Sequence, residues 1–205
     1  PAGPSEVAVV ADRFANPDFV AADLLSQAEH GADSQVICVT DNEELIPKII
    51  AAVEQQLSEL PRRAIIEKSL ESSRLILVNN LDEALEFVNC YAPEHLILQT
   101  QNPEQWVEKV INAGSVFLGE FTPESAGDYA SGTNHTLPTN GYARNYSGIS
   151  VDSFVKKITF QKISPAGLKA IAPAIDCMAT TEKLQAHRNA VRIRLEAIEK
   201  GAGRG

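Results

Sequence analysis

The chain has 205 residues, 44% of them hydrophobic and 22% charged, with a formal net charge of −9. That length can bury a substantial core without covalent staples, so one large domain or a domain with an appendage is expected. No block of Lys and Arg stands out and no run of 18 apolar residues occurs, so neither nucleic acid nor a membrane is an expected partner.

Pro1-Ala2-Gly3-Pro4-Ser5-Glu6 carries no initiating Met and no signal peptide, and leads within a few residues into a strand, as the interior of a longer chain would. Residues 7–11 form that first short apolar strand. Asn16 then caps a helix, Pro17 takes its first position and Gly31 stops it. Residues 35–40 give a second strand. Asp41 opens a long amphipathic helix to about Leu60, Pro61 breaks it, and a further helix runs to about Ser72. Residues 74–78 are a third strand. Asn80 and Glu83 form a capping box for a helix to Tyr91. Residues 96–99 are strand, Asn102-Pro103 opens another helix, and 115–118 are strand again. This alternation predicts an α/β domain over 1–150, an open and mostly parallel sheet with helices on both faces. Residues 119–150, rich in Gly, Ser, Thr, Asn and Tyr, read as a functional loop. Residues 158–163 are a candidate strand. The remainder looks helical to Lys200, with Leu184, Val191, Leu195 and Ile198 as one stripe, so 151–205 is a mainly helical appendage. The tail Gly201-Ala202-Gly203-Arg204-Gly205 follows a helix and precedes nothing, which is the wrong context for a nucleotide fingerprint. Cys38 and Cys90 sit among apolar neighbours and read as small buried hydrophobes, and with Cys177 as unpaired thiols of a reducing compartment.

Four histidines occur, each in a suggestive setting. Gln27 and His30, three apart, share a helix face and could both reach one divalent ion; the plain alternative is a His favoured by the helix dipole. Glu94 and His95 lie between a helix and a strand, where one could act as base and the other as acid; the plain alternative is a solvated turn. In Pro123-Glu124-Ser125-Ala126-Gly127-Asp128-Tyr129-Ala130-Ser131-Gly132-Thr133-Asn134-His135, Asp128 could ligate a metal and His135 could ligate or hydrogen-bond. His187 lies on the apolar stripe of the last helix, where a lone His usually belongs to a core. Glu182, five residues earlier, would share a site with it only if the helix begins nearby or a partner surface wraps the helix. Gln27, His30, Asp128 and His187 offer nitrogen and oxygen but no thiolate, a set suited to zinc, with manganese or cobalt as substitutes.

Gly3-Pro4-Ser5-Glu6, Asp23-Leu24-Leu25-Ser26-Gln27-Ala28-Glu29-His30-Gly31, Pro93-Glu94-His95-Leu96, the 123–135 segment and Ala186-His187-Arg188-Asn189 together resemble the histidinol dehydrogenases in order and spacing. The resemblance spans nearly the whole chain, and five motifs in register make it specific. It implies a Rossmann-like α/β fold with a small C-terminal helical part used in dimerisation. Gln27, His30, Asp128 and His187 would be Zn²⁺ ligands, and Glu94 and His95 the catalytic pair. Ser5, Gln27, His30, His95, Asp128, His135, Glu182 and His187 would be substrate contacts. The implied reaction oxidises L-histidinol to L-histidine with two NAD⁺, the last step of histidine biosynthesis, in the cytoplasm or, in a plant or alga, the plastid. The implied assembly is a homodimer in which Glu182 and His187 serve the neighbouring subunit's site. Family chains extend well beyond Pro1 on the N-terminal side, and much of their NAD⁺ contact lies there; no residue here is assigned to that cofactor.

Three rival readings remain at this stage. One is a zinc- and NAD-dependent alcohol dehydrogenase of another small polyol. The second is a zinc hydrolase using a Glu base. The third is a non-catalytic, zinc-binding, dimerising fragment.

Overall fold

A computed structural model describes residues 3–201. It divides into two compact units, 1–155 and 156–205.

The first unit is built on five parallel strands in the order β3-β2-β1-β4-β5. They are β1 (Glu6–Ala11), β2 (Gln35–Thr40), β3 (Arg74–Leu77), β4 (His95–Gln99) and β5 (Ser115–Leu118). Central β1 is buried along its whole length, which is why its sequence is apolar on both faces after Glu6. Val7, Val9 and Ala11 pack beneath α1 (Pro17–Ala28), α2 (Leu45–Leu57) and α3 (Arg63–Glu71). Ala8 and Val10 pack on the other face, beneath α4 (Leu81–Tyr91) and the 3₁₀ turn Pro103–Lys109. Helices therefore cover both faces, as the alternation predicts. The sheet order reverses between β1 and β4.

Several boundaries shift for local reasons. The helix expected from Asp41 begins at Leu45, because Thr40 Oγ1 accepts from Asn42 N and Asn42 Oδ1 from Glu44 N, at 3.1 and 2.9 Å. Those side-chain turns compete with helix until Pro47 can sit in the first turn. The capping box at Asn80 is half made: Asn80 Oδ1 accepts from Glu83 N, but the Glu83 carboxylate turns to Asn79 instead. The helix expected after Asn102 is 3₁₀. Inside the 119–150 loop the chain forms a short α-helix, α5 (Glu124–Tyr129), and a 3₁₀ turn at Tyr142–Arg144. Cys38 is buried as expected, whereas Cys90 is exposed at the end of α4; all three thiols are free.

The second unit is a helical hairpin, α6 (Pro165–Thr181) and α7 (Gln185–Glu199). Ser164 caps α6 by accepting from Gly167 N at 3.0 Å. Left-handed Lys183 makes the turn, and the Arg188 guanidinium on α7 pairs with the Asp176 carboxylate on α6. Residues 158–163 form no strand; they are exposed and pair with no ladder. Leu184 lies just outside α7, while Val191, Leu195 and Ile198 are half-buried along it.

Candidate active site at the amino rim of the sheet

Four chain segments converge where the strands begin. Helix α1 starts at the carboxyl rim, where Asn16 Oδ1 accepts from Asp18 N at 2.9 Å, and returns to the amino rim with Gln27 in its last turn. His30 lies beyond the C-cap Glu29, so it does not share the helix face as its spacing suggests; its N–H still bonds Gln27 O at 3.2 Å. Helix α4 ends on Ala92, a left-handed C-cap (φ 58°). A left-handed non-glycine costs about 1–2 kcal/mol. Here the turn delivers Pro93, Glu94 and His95 directly into β4. Gly114 fits beside this turn because an added Cβ would lie 2.5 Å from Glu94 O. Period-2 alternation then sets His95, Ile97 and Gln99 on the α1 face of the sheet.

Helix α5 supplies the fourth segment. It lies against β5 so closely that a Cβ on Gly127 would approach the Phe117 ring to 2.6 Å. This brings Glu124 and Asp128, one turn apart, onto the cavity. Ser5, Gln27, His30, Glu94, His95, Asp128 and His135 all line one cavity of about 290 Å³, together with Glu124 and Tyr129. His135 and His30 are exposed at its mouth, while Glu94 and His95 are buried. Glu182 and His187 belong to the second unit, Glu182 as the C-cap of α6 and His187 in the first turn of α7, both exposed. They therefore do not share one helix, and His187 is not a core histidine of this chain.

The main chain of one residue orients both members of the Glu–His pair. Glu6 N donates to Glu94 Oε2 at 3.0 Å, and His95 Nδ1 lies 3.2 Å from Glu6 O. A carbonyl can only accept, so Nδ1 carries the proton and Nε2 presents a lone pair. That Nε2 is buried without a hydrogen-bond partner, 3.9 Å from Asp128 Oδ1. Burial holds the His95 pKa below its ordinary value, which keeps the ring neutral. Burial also pushes Glu94 up to about 7, opposed by the Glu6 N–H bond and reinforced by the Glu6 and Asp128 carboxylates.

Glu124 was not singled out from the sequence. It is 2% exposed, and burial followed by repulsion from Asp128, Glu94 and Asp23 pushes it up to about 9. One end of the Gln27 amide lies 2.5 and 2.6 Å from the two Glu124 oxygens, and assigning that end as the nitrogen gives both of them a donor. Donor atoms of His30, Glu124 and Asp128 lie within 4.8 Å of one another. Among the described residues that line it, the cavity thus gathers three carboxylates and no Lys or Arg. A divalent cation is the charge partner such a set fits, and imidazole with hard oxygen suits zinc.

A dinucleotide does not fit the carboxyl rim in the same way. The β1–α1 turn, Asp12-Arg13-Phe14-Ala15-Asn16, holds no glycine, and Asp12 accepts from Phe14 N and Gln101 N at 2.8 Å each. Of the N–H groups a pyrophosphate would use there, Phe14 N already faces the Asp12 carboxylate and Asp18 N the Asn16 side chain.

A family model described as histidinol dehydrogenase matches residues 1–195. The chain is 64% identical over 199 residues to the histidinol dehydrogenase of Bacteroides thetaiotaomicron, covering 97% of this chain and 46% of that protein. It is 56% identical over 200 residues to the chloroplastic histidinol dehydrogenase of Oryza sativa subsp. japonica, covering 97% of this chain and 42% of that one. The crystal structure of histidinol dehydrogenase from Elizabethkingia anophelis superposes with a TM-score of 0.91 at 59% identity, covering 97% of this chain and 46% of that one. The chain spans about half the length of the curated relatives it matches. With fold and sequence agreeing over almost every residue, the chain belongs to the histidinol dehydrogenase family.

Proposed function

We propose that the whole protein oxidises L-histidinol to L-histidine with two NAD⁺ as the last step of histidine biosynthesis, and that this chain supplies its metal-binding and proton-transfer half. The observation that carries this is the amino-rim cavity, where a neutral, buried His95 faces three carboxylates and no cationic side chain. Gln27, His30 and Asp128, with His187 from a second copy of the chain, would hold Zn²⁺, which supplies a template for the imidazole and amino nitrogens of the substrate. Ser5, His135 and a second copy's Glu182 would complete the substrate contacts. A homodimer sharing its sites in this way, in the cytoplasm or a plastid, is part of the same proposal. No helix among the described residues is long and apolar enough to cross a membrane.

His95 would receive the alcohol proton at Nε2, the ring atom left without a partner, while the Glu6 carbonyl holds the Nδ1 proton and so fixes the tautomer. Glu94 would take a proton from the water that adds to the aldehyde. Its position near neutral pKa suits a group that must both accept and release protons. Oxidation to the acid also removes two hydrides, which the nicotinamide cofactor accepts; no residue of this chain is assigned to that cofactor. The cavity's burial of Glu94 and His95 keeps bulk water from the aldehyde.

The test is to give the whole protein histidinol and NAD⁺ and count reduced cofactor. Two equivalents per histidinol are expected. Reduction with another small polyol but not with histidinol would favour the neighbouring dehydrogenase reading. Hydrolysis without any cofactor reduction would favour the hydrolase.

A further inference from the structure

We infer that Glu124 is a positioning residue that turns the Gln27 amide so that its oxygen, not its nitrogen, is offered to the metal. The inference rests on the proposed reading of Gln27 as a ligand and adds a residue to it. A primary amide is nearly symmetrical in shape, but only its oxygen has a lone pair to give. Gln27 is fully buried, so water cannot sort the two ends. What lies behind it decides.

Behind it lies Glu124, 2% exposed in the first turn of α5. Its two oxygens lie 2.5 and 2.6 Å from one end of the Gln27 amide. One end of the amide meets both Glu124 oxygens, at least one of which carries no proton, so only the NH₂ end can satisfy the two together. The opposite rotation would set amide oxygen against carboxylate oxygen. This contact also explains why a buried acid stands among Asp128, Glu94 and Asp23, all of which repel it. Partners behind a metal ligand commonly fix its orientation in this way, and losing one costs about 10–100-fold in metal affinity. A Glu124 oxygen also lies within 4.8 Å of donor atoms of His30 and Asp128, so the experiment has to separate orientation of Gln27 from direct coordination.

The experiment is a double-mutant cycle in the whole protein, reading metal affinity by competition with a chromophoric chelator and ligand geometry by the absorption spectrum of the Co²⁺ form. Glu124→Asp keeps the charge and shortens the reach. It is expected to weaken the cation about 10–100-fold and to shift the Co²⁺ bands. In a Gln27→Ala background the same change is expected to leave the affinity where Gln27→Ala put it. A loss of equal size in both backgrounds would show Glu124 acting on the cation by itself and overturn the inference. Should Gln27→Ala alone leave the affinity intact, the ligand reading beneath the inference has failed instead. The exchange Gln27→Glu with Glu124→Gln guards against a misfolded single variant. It keeps one amide, one carboxylate and the charge, reversing only their order, and is expected to restore affinity above Glu124→Asp. A folded exchange variant, by circular dichroism, that binds no better than Glu124→Asp would also overturn the inference.

Discussion

The amino and carboxyl rims of the five-stranded sheet both carry acidic residues and both enclose space, about 290 Å³ at the amino rim and about 430 Å³ at the carboxyl rim. They use their acids differently. At the carboxyl rim Asp12 closes loops, each oxygen taking a main-chain N–H, and the buried atoms left unpaired are neutral: Gln99 Oε1 and Thr100 Oγ1. At the amino rim Glu94, Glu124 and Asp128 face one another and the free Nε2 of His95. Open parallel sheets usually bind ligands at the carboxyl rim, where the strand order reverses. Here the buried, mutually repelling groups mark the opposite rim. Unspent buried charge is a better guide to the site than the topological rule, because leaving it unbalanced costs free energy that a ligand can recover.

The largest test of that contrast replaces one polar side chain at each rim. His30→Asn, at the amino rim, is expected to strip zinc from the assembled protein and abolish activity. Glu104→Gln, which lines the carboxyl-rim cavity, is expected to leave the metal in place. Elemental analysis of both variants decides. Full occupancy in His30→Asn, or equal loss in the two, would remove the distinction between the rims.

Within the amino rim the contrast sharpens between two neighbours. His95→Asn is expected to slow the alcohol step by about 10²–10⁴-fold, the usual loss of a general base. Glu94→Gln is expected to slow oxidation of histidinaldehyde more than that of histidinol, since only the aldehyde needs a water activated. Steady-state rates with each substrate separate the two, and equal losses from Glu94→Gln would contradict the division of labour.

A third test uses packing alone. Gly127→Ala would drive a methyl group into the Phe117 ring. Overpacking of this kind costs about 1–3 kcal/mol. Because α5 carries both Glu124 and Asp128, metal affinity is expected to fall along with the urea midpoint. Gly132→Ala makes the control for the added methyl, since nothing lies within 4 Å there, although its positive φ of 88° adds strain of its own. A metal loss as large in Gly132→Ala would show that loop strain, not the approach of α5 to β5, governs the site.

Much of this geometry is written in the sequence, and the parts that are not have physical reasons. Strands β2 and β5 match their expected bounds because apolar runs flanked by polar turns have few alternatives. The α1 start is equally plain, since Asn16-Pro17 both caps and begins it. Residues 158–163 alternate like a strand but have no partner to pair with, and alternation alone cannot supply one. Gln27, His30, Glu94, His95 and Asp128 were legible as candidates, yet not their convergence, which depends on three separate returns to one rim. Glu124 escaped because Gly127 made its segment read as loop. Its signal was the four-residue spacing to Asp128, which places two acids on one face once the segment is helical.

The smallest expected effect concerns a carboxylate midway between the rims. Asp23, on α1, is buried, and its Oδ2 accepts from Gln99 Nε2 at 2.6 Å. Burial outweighs that bond and raises its pKa from 3.8 to about 6. The folded state therefore holds the Asp23 proton more tightly than the unfolded state does. The penalty is absent below the unfolded value of 3.8, grows as pH rises, and is complete above about 6. At 1.36 kcal/mol per pKa unit the ceiling is roughly 3 kcal/mol. In Asp23→Asn, an amide stands where the charge was. Its oxygen can still accept from Gln99 Nε2, and its NH₂ can donate to Gln99 Oε1, which otherwise has no partner. After allowing for burial of that amide, a gain of about 1–2 kcal/mol at pH 8 is expected. At pH 4 the two proteins should unfold at nearly the same urea concentration. A variant that loses stability at pH 8 would mean that the charged Asp23 is needed in the fold. The electrostatic strain seen at the amino rim would then not extend along α1.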